Sequence, residues 1–185
     1  MKLGNGTIPA LDKIDSEILG LLQRDCKVSL ASIGERVGLS APSVVERIRK
    51  LEQAGVIRGY QAILDSKELG LDVTAFIGVA LGQVEGIGDL EDLVSALEGI
   101  LECHHVTGQH TLLLKAKTAN TASLENLISQ IRTLPGVVRT ETMVVLSTAI
   151  ESSRIPLPGR SDSTTEPLPR RRAKGSGPKS VAAVS

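Results

Sequence analysis

Aromatic side chains are almost missing from this chain of 185 residues, which has one Phe, one Tyr and no Trp. A core built from it has to be aliphatic, and a hydrophobic content of 41% supplies enough Leu, Ile, Val and Ala for one or two small domains. Cysteine is nearly as scarce. Cys26 and Cys103 stand far apart and form no CxxC pair, so neither a disulfide framework nor a zinc finger is expected. No run of about 18 apolar residues occurs, which leaves no candidate membrane-spanning helix. Met1–Ala10 lacks the apolar stretch of a secretory signal. A cytoplasmic protein with no membrane partner is expected. Enzyme signatures are also missing: there is no GxSxG, no HExxH, no P-loop and no GxGxxG in its required context. Neither catalysis nor a cofactor is expected.

Net charge is zero, but its distribution is uneven. Residues 11–60 carry 8 Lys/Arg against 7 Asp/Glu, residues 61–153 carry 5 against 12, and residues 154–185 carry 7 against 2. An acidic middle between less acidic ends points to divided roles.

The first third reads as three helices. In "LDKIDSEILGLLQRD", Asp12 is a plausible N-cap and Asp15 suits the positive end of the helix dipole. Ile14, Ile18, Leu21 and Leu22 form an apolar stripe. In "SLASIGERVG", Ser29 caps, Leu30, Ile33 and Val37 are expected to face inward, and Gly38 ends the helix. In "LSAPSVVERIRKLEQAG", Ser40 caps, Pro42 lies in the first turn, Val44, Ile48 and Leu51 form the stripe, and Gly55 stops it. Two helices joined by about three residues at Gly38 have the proportions of a helix-turn-helix. "VIRGYQAILD" then alternates as a strand or small wing would.

From Leu71 the hydrophobic period changes. "DVTAFIGVALG" is a strand, and "GDLEDLVSALEGI" is a helix with Leu90, Leu93, Val94 and Leu97 on one side. "ILECHHVTG" and "HTLLLKAKT" are strands about Gly108. "NTASLENLISQIRTLPG" is a helix, and "VVRTETMVVLSTAIE" is a last strand. The order is βαββαβ, an antiparallel sheet with both helices on one face. Residues 154–185 are rich in Pro, Ser, Gly and Arg, with too little apolar surface to offset ordering entropy.

The blocks "LDKIDSEILGLLQRD", "IGERVGLS", "ERIRKLEQAGVIRGYQAILD", "LECHHVTG" and "LPGV" resemble, in order and spacing, those of the Lrp/AsnC family of feast/famine transcription regulators. The resemblance runs from Leu11 to Glu151. It implies an α+β chain: an N-terminal winged helix-turn-helix plus a C-terminal ferredoxin-like βαββαβ domain of the RAM/ACT-like kind. The expected organisation is a flexible N-terminus at 1–10, a DNA-binding domain at 11–60 and a linker at 61–70. An effector-binding and oligomerisation domain follows at 71–151, then a disordered basic tail at 152–185. The resemblance also implies double-stranded DNA and a small-molecule effector (an amino acid or related metabolite) as partners. It implies a homodimer that assembles into a tetramer or octamer.

By that resemblance the third helix lies in the major groove. Ser40, Ala41, Pro42 and Ser43 are at its N-terminal end, where free N–H groups and short hydroxyls suit phosphates or base edges. Arg47, one turn after Ser43, is expected to reach bases, and Arg49 and Lys50 to meet phosphates. On charge alone, three cations on one helix are more often a solvated face than a DNA reader.

The family's turn between the second and third C-terminal strands usually reads G-D-x-D, with acidic side chains that hold an effector's ammonium. Here Gly108 remains, but Gln109 and Thr111 replace the carboxylates, with His110 between them. A neutral amide or hydroxyl bonds an ammonium about half as strongly as a carboxylate does. Three readings stay open: a different ligand recognised by Gln109 and His110; an amino acid held by other groups, Thr140 or Thr142 of the last strand among them; or no effector, the loop serving assembly alone. Cys103, His104, His105 and His110 invite a metal, but alternation along a strand sends His104 away from its neighbours, and no metal site is expected. Two rival functions are an effector-independent architectural DNA-binding protein and a metabolite-binding module with weak DNA binding.

Overall fold

The computed structural model describes residues 11–82 and 87–157. The described residues divide into two compact units, one of residues 11–60 together with 154–157, the other within Gln61–Ser153. Residues 1–10 and the part of the basic tail beyond Leu157 lie outside the description.

The first unit is three helices: α1 (Lys13–Leu22), α2 (Leu30–Val37) and α3 (Ala41–Gln53). Each begins where a short polar side chain satisfies an orphan N–H. Asp12, Ser29 and Ser40 accept from the amides of Asp15, Ser32 and Ser43. Asp12 and Asp15 close a reciprocal capping box, with Asp15 N–H donating to Asp12 at 2.7 Å and Asp12 N–H to Asp15 at 3.3 Å. Ile18, Ile33 and Val44, one from each helix, are fully buried. Each contributes roughly 1.5–3 kcal/mol by leaving water. Ile14, Val37 and Ile48 pack around them. Leu30 does not join this core as its spacing suggested. It is 40% exposed, because the first residue of an eight-residue helix overhangs the contact.

The α2–α3 turn is tight. Gly38 takes φ 71° and Leu39 N–H donates to Gly34 O at 2.9 Å. A Cβ on Gly34 would stand 2.4 Å from Leu39 O, so here the backbones meet with nothing between them. The end of α3 is a Schellman motif at Gly55 (φ 70°), with Val56 N–H donating to Leu51 O at 2.9 Å and Gly55 N–H to Glu52 O at 2.9 Å. The expected wing is not formed. Residues 56–65 contain no strand, although Tyr60 donates to Glu52 at 2.9 Å. Ile63 and Leu64 are 88% and 68% exposed. An alternating segment becomes a strand only when a neighbour pairs with it, and none of the described residues does.

The second unit contains β1 (Val73–Leu81), α4 (Ile87–Ser95), β2 (Ile100–His105), β3 (Leu112–Thr118), α5 (Thr121–Arg132) and β4 (Val137–Val144). The sheet order is β2-β3-β1-β4, all antiparallel, which is the split-βαβ arrangement. Both helices cover one face. Ala75, Ile77 and Val79 of β1 and Leu112, Leu114 and Ala116 of β3 are buried beneath α4 (Leu90, Val94) and α5 (Leu124, Leu127, Ile131). Leu93 departs from the expected stripe and is 44% exposed. β4 ends at Val144 rather than running to Glu151. Val145 N–H still bonds Thr74 O, but β1 begins at Val73 and offers no further partner.

Neither α4 nor α5 covers the opposite face. It presents Phe76, Gly78 and Ala80 of β1, Leu113, Lys115 and Lys117 of β3, and Glu141 and Met143 of β4. Lys115 is held there between Glu102 (3.2 Å) and Glu151 (2.8 Å).

Candidate nucleic-acid interface and effector loop

Helix α3 offers its surface in two parts. Ser40 and Ser43 hydroxyls lie 2.9 Å apart at its N-terminus and Pro42 is exposed in the first turn, so the capped end faces solvent. Ala41 is half-buried beside them. One turn on, Glu46, Arg49 and Lys50 are exposed. Lys50 and Glu46 form a loose pair at 3.6 Å, whereas Arg49 has no ion pair among the described residues.

Arg47 is placed otherwise than its reading as a base contact supposed. Its Nη1 lies 2.7 Å from both Asp12 Oδ2 and Asp15 Oδ1. The other oxygen of each carboxylate closes the α1 capping box, so one guanidinium nitrogen is held by both members of that box. The N–H of Asp15, then the Arg47 guanidinium, hold the Asp12 carboxyl below its ordinary pKa, and the two carboxylates raise that of Arg47. The physical reason lies in the helical period. Arg47 stands three residues after Val44 and four before Leu51, both buried, so it rides the edge of the inward stripe and faces α1. That spacing was available in the sequence. So were Asp12 and Asp15, which were read as caps only. The sequence holds no signal that they also bind an arginine 32 and 35 residues away.

The loop between β2 and β3 sorts its residues by face. Gly108 turns the chain at φ 116° and Gln109 is exposed. Thr111 belongs to the sheet: its N–H donates to Val79 O at 2.8 Å, and its hydroxyl accepts from Leu81 N–H at 3.3 Å. His110 folds onto the helix-free face. Its ring lies so close over Gly78 that a Cβ there would be 2.5 Å from Cδ2. Its Nε2 is 3.4 Å from Glu141, and its Nδ1 is buried without a partner. Thr140 and Thr142 lie opposite Val79 and Ile77, on the helix-covered face, and Arg132 Nε donates to Thr140 at 2.8 Å. The six loop and strand residues therefore do not converge within one protomer. Gly78 and Glu141 are the neighbours of His110 that the sequence did not flag.

Cys103 and His105 share the helix-covered face, where His105 pairs with Glu91, while His104 pairs with Glu102 on the other. No group of three His, Cys, Asp or Glu suited to a metal ion occurs among the described residues, and no described helix is long and apolar enough to cross a membrane.

Comparison with known proteins matches both units. The AsnC-type helix-turn-helix domain covers residues 11–52, and the Lrp/AsnC ligand binding domain covers residues 74–155. The HTH-type transcriptional regulator FL11 of Pyrococcus horikoshii is 35% identical over 147 residues, covering 80% of this chain and 97% of that one. The leucine-responsive regulatory protein of Escherichia coli K12 is 36% identical over 148 residues, covering 78% and 90%. Among solved structures, the Neisseria meningitidis transcriptional regulator NMB0573 in complex with L-Met superposes with a TM-score of 0.77 at 28% identity, covering 80% of this chain and 97% of that one. AsnC of E. coli superposes at 0.74 with 28% identity, covering 79% and 99%.

Proposed function

The chain belongs to the Lrp/AsnC family of transcriptional regulators, and on that premise we propose that it binds specific duplex DNA through α3 and adjusts that binding to a small metabolite. The observation that carries the first half is the clamp of Arg47 on the α1 capping box. It sets the pitch of α3 while the Ser40–Ser43 end and the Glu46–Lys50 turn stay open to solvent. In this reading Ser40, Ala41, Pro42 and Ser43 enter the major groove with their free N–H groups. Arg49 and Lys50 meet phosphates, and Arg47 is a positioning residue rather than a reader of bases. The three-helix part carries only 8 cations against 7 anions, so a single copy binds weakly, and a dimer that presents two recognition helices doubles the phosphate contacts.

The C-terminal unit supplies that dimer and the sensor. The helix-free sheet face, with Phe76, Leu113 and Met143, is the surface for a second copy, and further association gives tetramers or octamers. A ligand that meets His110 and also Thr140 or Thr142 has to reach two faces of the sheet, which calls for residues of two protomers. An L-Met complex in a relative supports an amino acid or a close analogue as effector. The exchange of two carboxylates for Gln109 and Thr111 favours a second reading, in which the loop serves assembly and DNA binding is effector-independent. The same reading makes it a cytoplasmic protein whose role is regulation rather than catalysis.

Shift assays of the full chain against a library of duplexes test the reading. Selection of a recurrent, two-fold symmetric sequence is expected, and enrichment of none would refute it. Light scattering is expected to give a dimer or larger, and Phe76→Glu to reduce it to smaller species.

A further inference from the structure

Helix α3 buries Val44 and Leu51 and packs Ile48 against the same core. At about 100° per residue, Glu46 lies roughly 200° round the axis from Val44 and roughly 160° from Ile48, which puts it on the side opposite the core. Pro42, Arg49 and Gln53 share that outward row, and all four residues are exposed. A carboxylate thus stands in the middle of the surface that α3 offers to a duplex.

Glu46 differs from the carboxylates around it in being uncommitted. Asp12 and Asp15 hold Arg47, and Glu52 accepts from Tyr60 at 2.9 Å. Among the described residues, the one ion pair of Glu46 is with Lys50, four residues on, at 3.6 Å. That distance is too long for a hydrogen bond. The Glu46 side chain is 58% exposed and that of Lys50 70%, so either is free to turn to a new partner.

Duplex DNA carries one negative charge about every 1.7 Å of axis, so a carboxylate on the docking face is costly unless it meets a donor. The major groove offers donors at few points. Guanine shows two acceptors there, thymine an acceptor and a methyl, and adenine an acceptor beside its amino group. Cytosine alone shows a donor with no acceptor of its own. We propose that Glu46 is a specificity-determining residue that accepts from the N4 amino group of cytosine at one C·G pair of each half-site. The ring acceptors of the other bases repel it there, so the same carboxylate that costs affinity on arbitrary DNA selects against the wrong pair. On docking, Lys50 leaves Glu46 for a phosphate, as the reading above requires, and no longer screens the carboxylate. This assignment rests on the DNA-binding reading and adds to it a base that the operator must contain.

The test selects sites from a random-sequence duplex library with the full chain and its Glu46→Gln, Glu46→Ala and Lys50→Gln variants. Fluorescence anisotropy then follows each protein on the selected site and on its single-base replacements. The unaltered chain is expected to select a C·G pair at one fixed position of each half-site, and replacing that pair to weaken binding about 5–150-fold. Glu46→Ala is expected to lose that one preference and keep the others. Glu46→Gln, whose amide pairs with N6 and N7 of adenine, is expected to change the preference from cytosine to adenine. Lys50→Gln is expected to weaken all sequences alike, with a log–log salt slope shallower by about 1, and to keep the cytosine. A Glu46→Ala profile identical to that of the unaltered chain overturns the assignment. Equal affinity would then make Glu46 a solvated partner of Lys50, and uniformly tighter binding would make it a mere brake on all DNA. Selected half-sites with no fixed C·G pair overturn it as well, and so does loss of the preference in Lys50→Gln, because Glu46 would then act through Lys50. These results leave the DNA reading standing, whereas enrichment of no sequence by the unaltered chain overturns that reading and this assignment with it.

Discussion

Replacing Arg47 with Ala separates two roles that the same residue is easily given. In the structure it joins α3 to the α1 capping box through one nitrogen and two carboxylates. The Asp12 arm has a side chain 49% exposed and is worth about 0.5 kcal/mol, as surface pairs are. The Asp15 carboxylate is only 17% exposed, so its charge-assisted bond is worth about 1 kcal/mol. Their sum, about 1.5 kcal/mol, lowers the melting temperature of a chain this size by about 3–6 °C. Because α3 loses its pitch, affinity is expected to fall about tenfold on selected and random duplex alike. Arg47→Lys keeps a cation of nearly the same reach and restores part of both losses. In a double-mutant cycle Asp15→Asn removes most of the effect of Arg47→Ala, a coupling of about 1 kcal/mol. A base-reading arginine behaves otherwise. Its loss costs roughly 1–3 kcal/mol on the selected sequence, leaves random DNA and the melting temperature unchanged, and shows no coupling to Asp15. Calorimetry with anisotropy on the four proteins of the cycle decides, and that second pattern would refute the clamp.

Gly78→Ala drives a methyl into the His110 ring and is expected to cost about 1–3 kcal/mol in denaturant titration, largely relieved when His110→Ala is added; additive losses would show the ring to be free to move. Asp12 and Glu151 have folded pKa values below their ordinary 3.8 and 4.5, so the stability they contribute is complete above those values and is lost as pH falls through the lowered ones. Melting temperatures are therefore expected to hold through neutral pH and fall below about pH 4. Lys115→Met should flatten that fall, because Lys115 is the main cause of the Glu151 shift; an unchanged profile would rule this out. Titration calorimetry with common α-amino acids is expected to give weak binding, improved by about 1.5–3 kcal/mol in the Gln109→Asp, Thr111→Asp double variant. Micromolar binding by the natural chain would show that other groups carry recognition.

Local rules carried most of the fold. Asp12, Ser29, Ser40 and Asn120 cap the helices, and Gly38, Gly55 and Gly108 turn the chain at positive φ. The change of period near Leu71 marks the second unit, because each of these features depends on neighbours a few residues away. The differences sit where a partner distant in sequence decides. "VIRGYQAILD" alternates as a strand does, yet periodicity does not supply the ladder it needs. β4 stops when β1 runs out. At the site, the capped end of α3 was legible, whereas the engagement of Arg47 depends on which way α1 runs past α3. The stacking of His110 on Gly78 and the split of Thr140 and Thr142 to the other face follow from strand register, which one residue of slip would have reversed.

At Gly34 the carbonyl of Leu39 approaches so closely that no side chain fits between the two helices. That approach is made by main chain alone, and with the Arg47 clamp it aims the reading helix whatever the outer side chains are. On the proposed reading, mutation can exchange Pro42 and Ser43, the exposed residues of the helix's first turn, without disturbing the frame that aims them, while any residue but glycine at 34 spoils the aim for every sequence alike. Preference for one operator over another is free to drift, and the docking geometry is not. On that reading the first turn of α3 is an interchangeable cartridge. Transplanting those two positions from a relative should carry part of the relative's operator preference with them, in a scaffold whose pitch stays its own.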